Sequence, residues 1–288
     1  VVALTVVNLL GVSRTALMTR IIVSLVVPVL AFVVVAAFAA PAPSDAVQLP
    51  TSWLGVLQAA GLLFFAFAGY ARVATMGEEV REPQRNIPAA IFGSLGFTLG
   101  LYLLLAWGLL AALGPTALAA SAAPLREVFT ASTSAIPATA VTIAAALASL
   151  GALLALIAGV GRTTLAMARE GDLPRALTGI WQRFGVPYAA DLATAVVVIG
   201  LLLTTDVLTV VGFSSFGVLI YYAIANLSAF TLTHRPWHSP RGLNVVGFIG
   251  CVLLALTLPT TSVLTMVAVL AAGVLGRVVV AGVRRRRS

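Results

Sequence analysis

The chain has 288 residues, 60% of them hydrophobic and only 9% charged, with a mean hydropathy of +1.09. A soluble globular chain carries about a quarter charged residues, so this composition excludes a water-covered surface and makes the bilayer the fitting solvent. The net charge of +8 comes from seventeen basic residues, all Arg, scattered in short loops between apolar runs, which fits contact with membrane lipids and not a nucleic-acid partner.

Residues 1–10 are apolar but too few to cross a hydrocarbon core, which takes roughly 20 residues. With no basic leader and no small-residue cleavage site, they are expected to be the tail of a helix that begins earlier. Eight spans are predicted after them, within one transmembrane domain over 1–288: about 17–40, 53–77, 88–113, 138–161, 188–205, 207–233, 244–259 and 260–282. Arg14, Arg20, Arg81, Arg85, Arg162, Arg169, Arg175, Arg183, Arg235, Arg241, Arg277 and the 284–287 run all fall on one side of that arrangement, and only Arg126 on the other. Such asymmetry places the arginine-rich side, and the C-terminus with it, in the cytoplasm. The 284–287 run is a stop-transfer anchor or a site for anionic lipid. The 114–137 loop contains a small amphipathic patch around Leu125, Arg126 and Phe129, which suggests a short interfacial helix on the outer side. Cys251 stands alone in an apolar run and suits packing, with no disulfide frame or thiolate metal site.

The most informative stretch is 64–88. Phe64, Phe65, Phe67, Gly69, Tyr70 and Arg72 follow one another inside a span, so a glycine and a cation sit well into the membrane. Irregular backbone survives in hydrocarbon only where it lines a cavity or packs in protein, and glycine lowers the steric cost of leaving the helix. A break at Phe67, Ala68, Gly69 and Tyr70 would free peptide groups to hold a zwitterion, as broken helices do at the midplane of secondary transporters. Arg72 must then face protein or water, as a gate, a carboxylate contact or a structural partner of an inner Glu. Glu78, Glu79, Val80 and Arg81 come next, Pro83 stops the helix, and Pro88 fits the first turn of the following one.

This stretch resembles the sixth-helix signature of the amino acid–polyamine–organocation superfamily: an aromatic approach, a glycine-centred break, Glu-Glu-Val, then Pro-Gln-Arg-Asn-Ile-Pro. A second stretch, from Arg162 through Arg169, Glu170, Gly171 and Pro174 to Gly185, Val186 and Pro187, is similar to the segment after that family's eighth helix. On residues alone it is a basic helical stub stopped at Gly171 and restarted at Pro174. The resemblance implies an all-α polytopic membrane protein with the leucine-transporter-like inverted-repeat fold. It makes residues 1–10 the end of helix four, with Asn8 and Gly11 at its close, and leaves the first three helices outside this sequence.

By the same resemblance, Phe67, Ala68, Gly69 and Tyr70 are the unwound segment whose backbone meets the substrate amino group, and Phe65 is the aromatic that shields the site; Phe64 suits packing better. The implied function is secondary transport of an amino acid or related amine across the cytoplasmic membrane by alternating access, without a cofactor. Two other functions fit the same residues: a non-transporting scaffold or sensor that kept the permease fold, and an inactive truncated fragment. Many members carry a Lys in the fifth helix. The corresponding Ser24, Leu25, Val26, Val27 and Pro28 hold no charge, so the resemblance does not assign the coupling ion as proton or sodium. Gly96 and Gly100 form a close-approach packing motif, and Ser214, Ser215, Phe216, Gly217, Tyr221, Tyr222 and Asn226 are candidates to line the path. His234 and His238 suit a solvated turn. No HExxH, GxSxG or GxxxxGK[ST] pattern occurs, so enzyme or ATPase chemistry is not indicated.

Overall fold

Runs of Val, Ala and Leu in a medium without water leave the peptide groups no partner but each other, and helix is the local answer. The computed structural model describes residues 1–9, 15–41, 52–67, 69, 80–131, 138–182, 185–233 and 239–285. Among these the helices are α1 (Val2–Leu9), α2 (Thr15–Ala39), α3 (Trp53–Leu63), α4 (Pro83–Ala120), α5 (Pro124–Ala131), α6 (Thr139–Glu170), α7 (Tyr188–Thr204), α8 (Val207–Phe230), α9 (Arg241–Thr257) and α10 (Thr260–Arg285). No β-strand occurs among the described residues beyond a single bridge between Trp181 and Val186. Four stretches are long and apolar enough to cross a membrane: Arg20–Ala39, Pro83–Ala120, Val207–Phe230 and Thr260–Val278. Trp53–Phe67, Thr139–Leu153, Tyr188–Thr204 and Arg241–Thr257 are shorter apolar helical stretches of 10–17 residues.

The start of α4 differs from the sequence expectation. Pro83, not Pro88, is its first residue. Glu82 takes a left-handed φ of 48°, and its carbonyl accepts the N–H groups of Arg85 and Asn86, both at 3.0 Å. The Asn86 side chain donates to the Arg81 carbonyl at 2.6 Å and closes the turn. Proline tolerates the first helical position because its missing N–H has no helical acceptor there. At its far end α4 bends at Gly114 (φ 72°, ψ 166°), a conformation open to glycine, just before Pro115.

Contacts divide the chain into two units, Val1–Leu49 with Gly96–Leu203, and Pro50–Leu95 with Thr204–Ser288. In the first unit α2 packs on α5 and α6, and α1 on α6. Val33, Ala36, Leu105, Phe129 and Val141 form the core. The amphipathic patch is α5, but protein, not the bilayer interface, covers its apolar face: Val128 and Phe129 are buried while Arg126 and Glu127 are exposed. Gly108 lets α4 approach α2 so closely that a Cβ there would lie 2.9 Å from that of Ala37. The expected motif at Gly96 and Gly100 makes no such approach: no described atom lies within 4 Å of a Cβ at either, and Phe97 between them is exposed. At the end of α6, Gly171 adopts φ 78° and completes a double closure. Its N–H donates to the Ala168 carbonyl at 3.1 Å, and the Asp172 N–H donates to that of Met167 at 2.8 Å.

In the second unit α8 packs against α9, α10 and α3, and α3 also meets α9. Phe216, Leu219, Ala255 and Leu258 are its core, with half-buried Cys251 against them. Small residues set the spacing, as expected where lipid removes the hydrophobic drive between helices. Gly61 lies against the Leu254 carbonyl and Leu258, Gly212 against Ser262, and Gly217 against Met266. Asp206 caps α8: the Thr209 N–H donates to its Oδ2 at 2.9 Å and the Thr209 hydroxyl to its Oδ1 at 2.7 Å. The Thr209 hydroxyl, followed by its N–H, holds the exposed carboxyl below the ordinary carboxylate range.

Two outcomes follow from this packing. A Cβ at Gly61 would lie 3.1 Å from both the Leu254 carbonyl oxygen and Leu258 Cδ2, so Gly61→Val is expected to cost about 1–3 kcal/mol. Gly100→Val, which meets no described neighbour and puts a better helix former in place of glycine, should unfold no lower than the parent when thermal unfolding in detergent is compared. The Asp206 carboxyl is depressed on folding, so its contribution is complete above its unfolded value and fades as pH falls through its folded one. Acidification below about pH 4 should therefore lower the unfolding midpoint of the parent more than that of Asp206→Asn.

Candidate functional site

After Leu63 the backbone stops being α-helical. Phe64–Phe67 form one 3₁₀ turn, and Gly69 lies in a further turn. A change from i→i+4 to i→i+3 bonding tightens the coil and shifts its hydrogen-bond register, so a carbonyl at the junction loses its regular helical donor. The departure from α-helix starts at Phe64, about one turn before the expected centre. Ala68, Tyr70, Arg72, Glu78 and Glu79 lie outside the described residues, as do His234 and His238.

Aromatic contacts hold this turn in place. Phe64 joins the core of α8 and α9, and its ring meets that of Tyr222 edge-on, with centroids 5.7 Å apart and planes at 76°. Tyr222 in turn lies 5.3 Å from the Tyr221 ring. Phe64 is thus a packing residue, as the sequence suggests, while Phe65 on the same turn is 44% exposed and Phe67 half-buried. Gly69 is exposed, and no described atom comes within 4 Å of a Cβ built on it. Among the described residues, nothing covers the backbone at this glycine.

Among the α8 candidates, the structure brings Tyr222 to this turn and sends others elsewhere. Ser215 and Phe216 are buried on the same helix, and the Ser215 hydroxyl has no hydrogen-bond partner among the described residues. Gly217 serves the α10 contact. Asn226 faces α9, its Nδ2 donating to the Tyr222 carbonyl at 2.9 Å.

The sequence reading passes over one residue, Asp191. It lies in the first turn of α7 and is wholly buried. Its carboxylate occupies the space beside Gly161 of α6 so fully that any Cβ at 161 would collide with Oδ1. An ionisable residue inside an apolar span is itself a signal. It was available here, in a run of Ala, Leu and Val with no other charge from Tyr188 to Thr204.

Replacing Phe64 by Leu keeps apolar bulk but removes the edge-on contact, so it should cost about 1 kcal/mol in detergent unfolding. Phe65→Leu, on the exposed side of the turn, should stay within about 0.5 kcal/mol. Equal losses would mean that Tyr222 does not hold the turn.

A family model described as amino acid permease matches residues 1–281. An uncharacterized transporter of Mycobacterium tuberculosis is 52% identical over 277 residues, which is 95% of this chain and 63% of that protein. The vacuolar cationic amino acid transporter 2 of Arabidopsis thaliana is 29% identical over 236 residues, 79% of this chain and 37% of that one. A branched-chain amino acid permease of Bacillus subtilis is 26% identical over 250 residues, 86% and 53% respectively. The chain therefore spans 63% of the length of its mycobacterial relative.

Proposed function

The chain belongs to the amino acid permease family, and from that membership we propose that it is part of a secondary transporter that moves an amino acid or related amine across the cytoplasmic membrane by alternating access. The observation that carries this reading is the loss of α-helix after Leu63 in an apolar stretch, with no described atom against Gly69. Peptide groups released there are suited to an ammonium or carboxylate that water no longer solvates. In this proposal Phe67, Ala68, Gly69 and Tyr70 contact the amino group, and Phe65 closes over it.

Relatives named for cationic and for branched-chain amino acids are both similar to this chain. Their substrates share only the α-amino and α-carboxylate groups. Main-chain recognition fits that shared part, and side-chain selectivity belongs to other pocket positions. The arginine-rich loops and the C-terminus lie in the cytoplasm, by charge asymmetry. A proton or sodium gradient supplies the work.

Uptake by the full-length protein in liposomes tests this. Saturable, gradient-dependent uptake of at least one amino acid or amine is expected, and its absence across the twenty amino acids and common polyamines would sink the assignment. An N-acetylated form of the transported amino acid should fail to compete, because the amino group is what the backbone holds. Gly69→Leu should cut uptake by roughly tenfold or more, since ~1.4 kcal/mol of misplacement suffices, while leaving membrane insertion intact. Unchanged uptake would remove this segment from the site.

A further inference from the structure

The 3₁₀ turn rests on two helices at once. Just before it, Gly61 lies on α9, where a Cβ would come 3.1 Å from both the Leu254 carbonyl oxygen and Leu258 Cδ2. Leu62 reaches α8, its Cδ2 3.6 Å from a Cβ built at Gly212. At the turn itself the Phe64 ring meets Tyr222 of α8 edge-on, and the Tyr221 ring lies 5.3 Å from that of Tyr222. A turn seated on both α8 and α9 takes its position from the spacing between them.

One helical turn beyond Tyr222, Asn226 ties that spacing to Tyr222 itself. Its amide lies against Gly247 of α9, where a Cβ would stand 2.5 Å from Oδ1, 2.9 Å from Cγ and 3.0 Å from Nδ2. The same Nδ2 donates to the Tyr222 carbonyl at 2.9 Å. Moving the amide away from Gly247 therefore moves the group that holds the Tyr222 backbone. Polar side chains facing small residues join helices in this way where lipid supplies no hydrophobic drive. Any side chain at 247 would take the place of the amide.

We propose that Asn226 is a positioning residue for solute recognition. It touches no solute. With Gly247 it sets how far α8 stands from α9, and through Tyr222 and Phe64 that spacing decides where the turn presents its peptide groups. The role rests on the reading of this turn as the binding segment. Fixed peptide groups tolerate little displacement, since a shift of about 1 Å from a distant change is enough to cost much of a site's effect.

The test compares Gly247→Ala, Asn226→Ala, the double variant and Gly250→Ala in the full-length protein, by uptake kinetics and by hydrogen exchange of the 64–69 amides. Gly247→Ala pushes the helices apart, so KM should rise roughly tenfold with the maximal rate within about twofold of the parent. The 64–69 amides should exchange faster in the same variant. Asn226→Ala alone should raise KM about threefold, and the double variant, freed of the collision, should fall back to that level. Gly250→Ala, on the same helix with no described atom within 4 Å of its Cβ, should match the parent in both measurements. A merely structural contact would lower the unfolding midpoint of Gly247→Ala and leave KM unchanged, which overturns the proposal. A double variant no better than Gly247→Ala overturns it too, as does a parental KM in Asn226→Ala should Gly247→Ala fail to fold. If the parent takes up no solute, the transport reading fails on its own account, and unchanged exchange at 64–69 in Gly247→Ala separately refutes the link from Asn226 to the turn.

Discussion

In hydrocarbon a peptide N–H or C=O without a partner forfeits several kcal/mol, and this demand organises the protein more than any side-chain contact does. It explains why the described chain is helix wherever it is apolar, and why α6 closes with the Met167 and Ala168 carbonyls of its last turn filled by the N–H groups of Asp172 and Gly171. It also gives weight to the exception. A 3₁₀ turn at Phe64–Phe67 in an apolar stretch persists only if its surroundings make up for the weaker bonding, and the Phe64 ring on Tyr222, backed by Leu219 and Leu258, supplies that support.

The same medium shapes how helices meet. With lipid as apolar as leucine, close approach replaces hydrophobic exclusion as the source of affinity. The glycines that carry this job are those whose missing side chain is filled by a neighbour: Gly61 by Leu258, Gly108 by Ala37, Gly212 by Ser262. Spacing in sequence does not identify them. Gly96 and Gly100 have the small-xxx-small pattern and no described neighbour, whereas Gly61, with Leu57 and Phe65 four residues to either side, has the neighbours without that motif. A pattern along one helix says that approach is permitted, and only the facing helix decides whether it occurs.

Legibility in the sequence tracked how local each cause is. Apolar length located the helices, and the Glu170, Gly171, Pro174 series located the end of α6, because a left-handed cap is decided by the residue that adopts it. The start of α4 was misplaced by five residues. Either proline suits a first turn, and the choice fell to the backbone of Glu82, which takes an angle that few non-glycine residues adopt. The amphipathic stretch of α5 was legible as a helix, but what covers its apolar face was not, since α2 and α6 are distant in sequence. At the candidate site the aromatic run and Gly69 stood out by composition. The pairing of Phe64 with Tyr222, and of Asn226 with Gly247, depends on helices brought together by packing alone.

Asp191 and Gly161 show what such interlocking does. A carboxylate at 191 and a side chain of any size at 161 claim the same volume, so neither α6 nor α7 can drift freely at this depth. A residue larger than glycine at 161 would require the acid to turn away or give way to a shorter side chain. The two positions, 30 residues apart in the chain, are thus coupled, and a change of size at one is felt at the other.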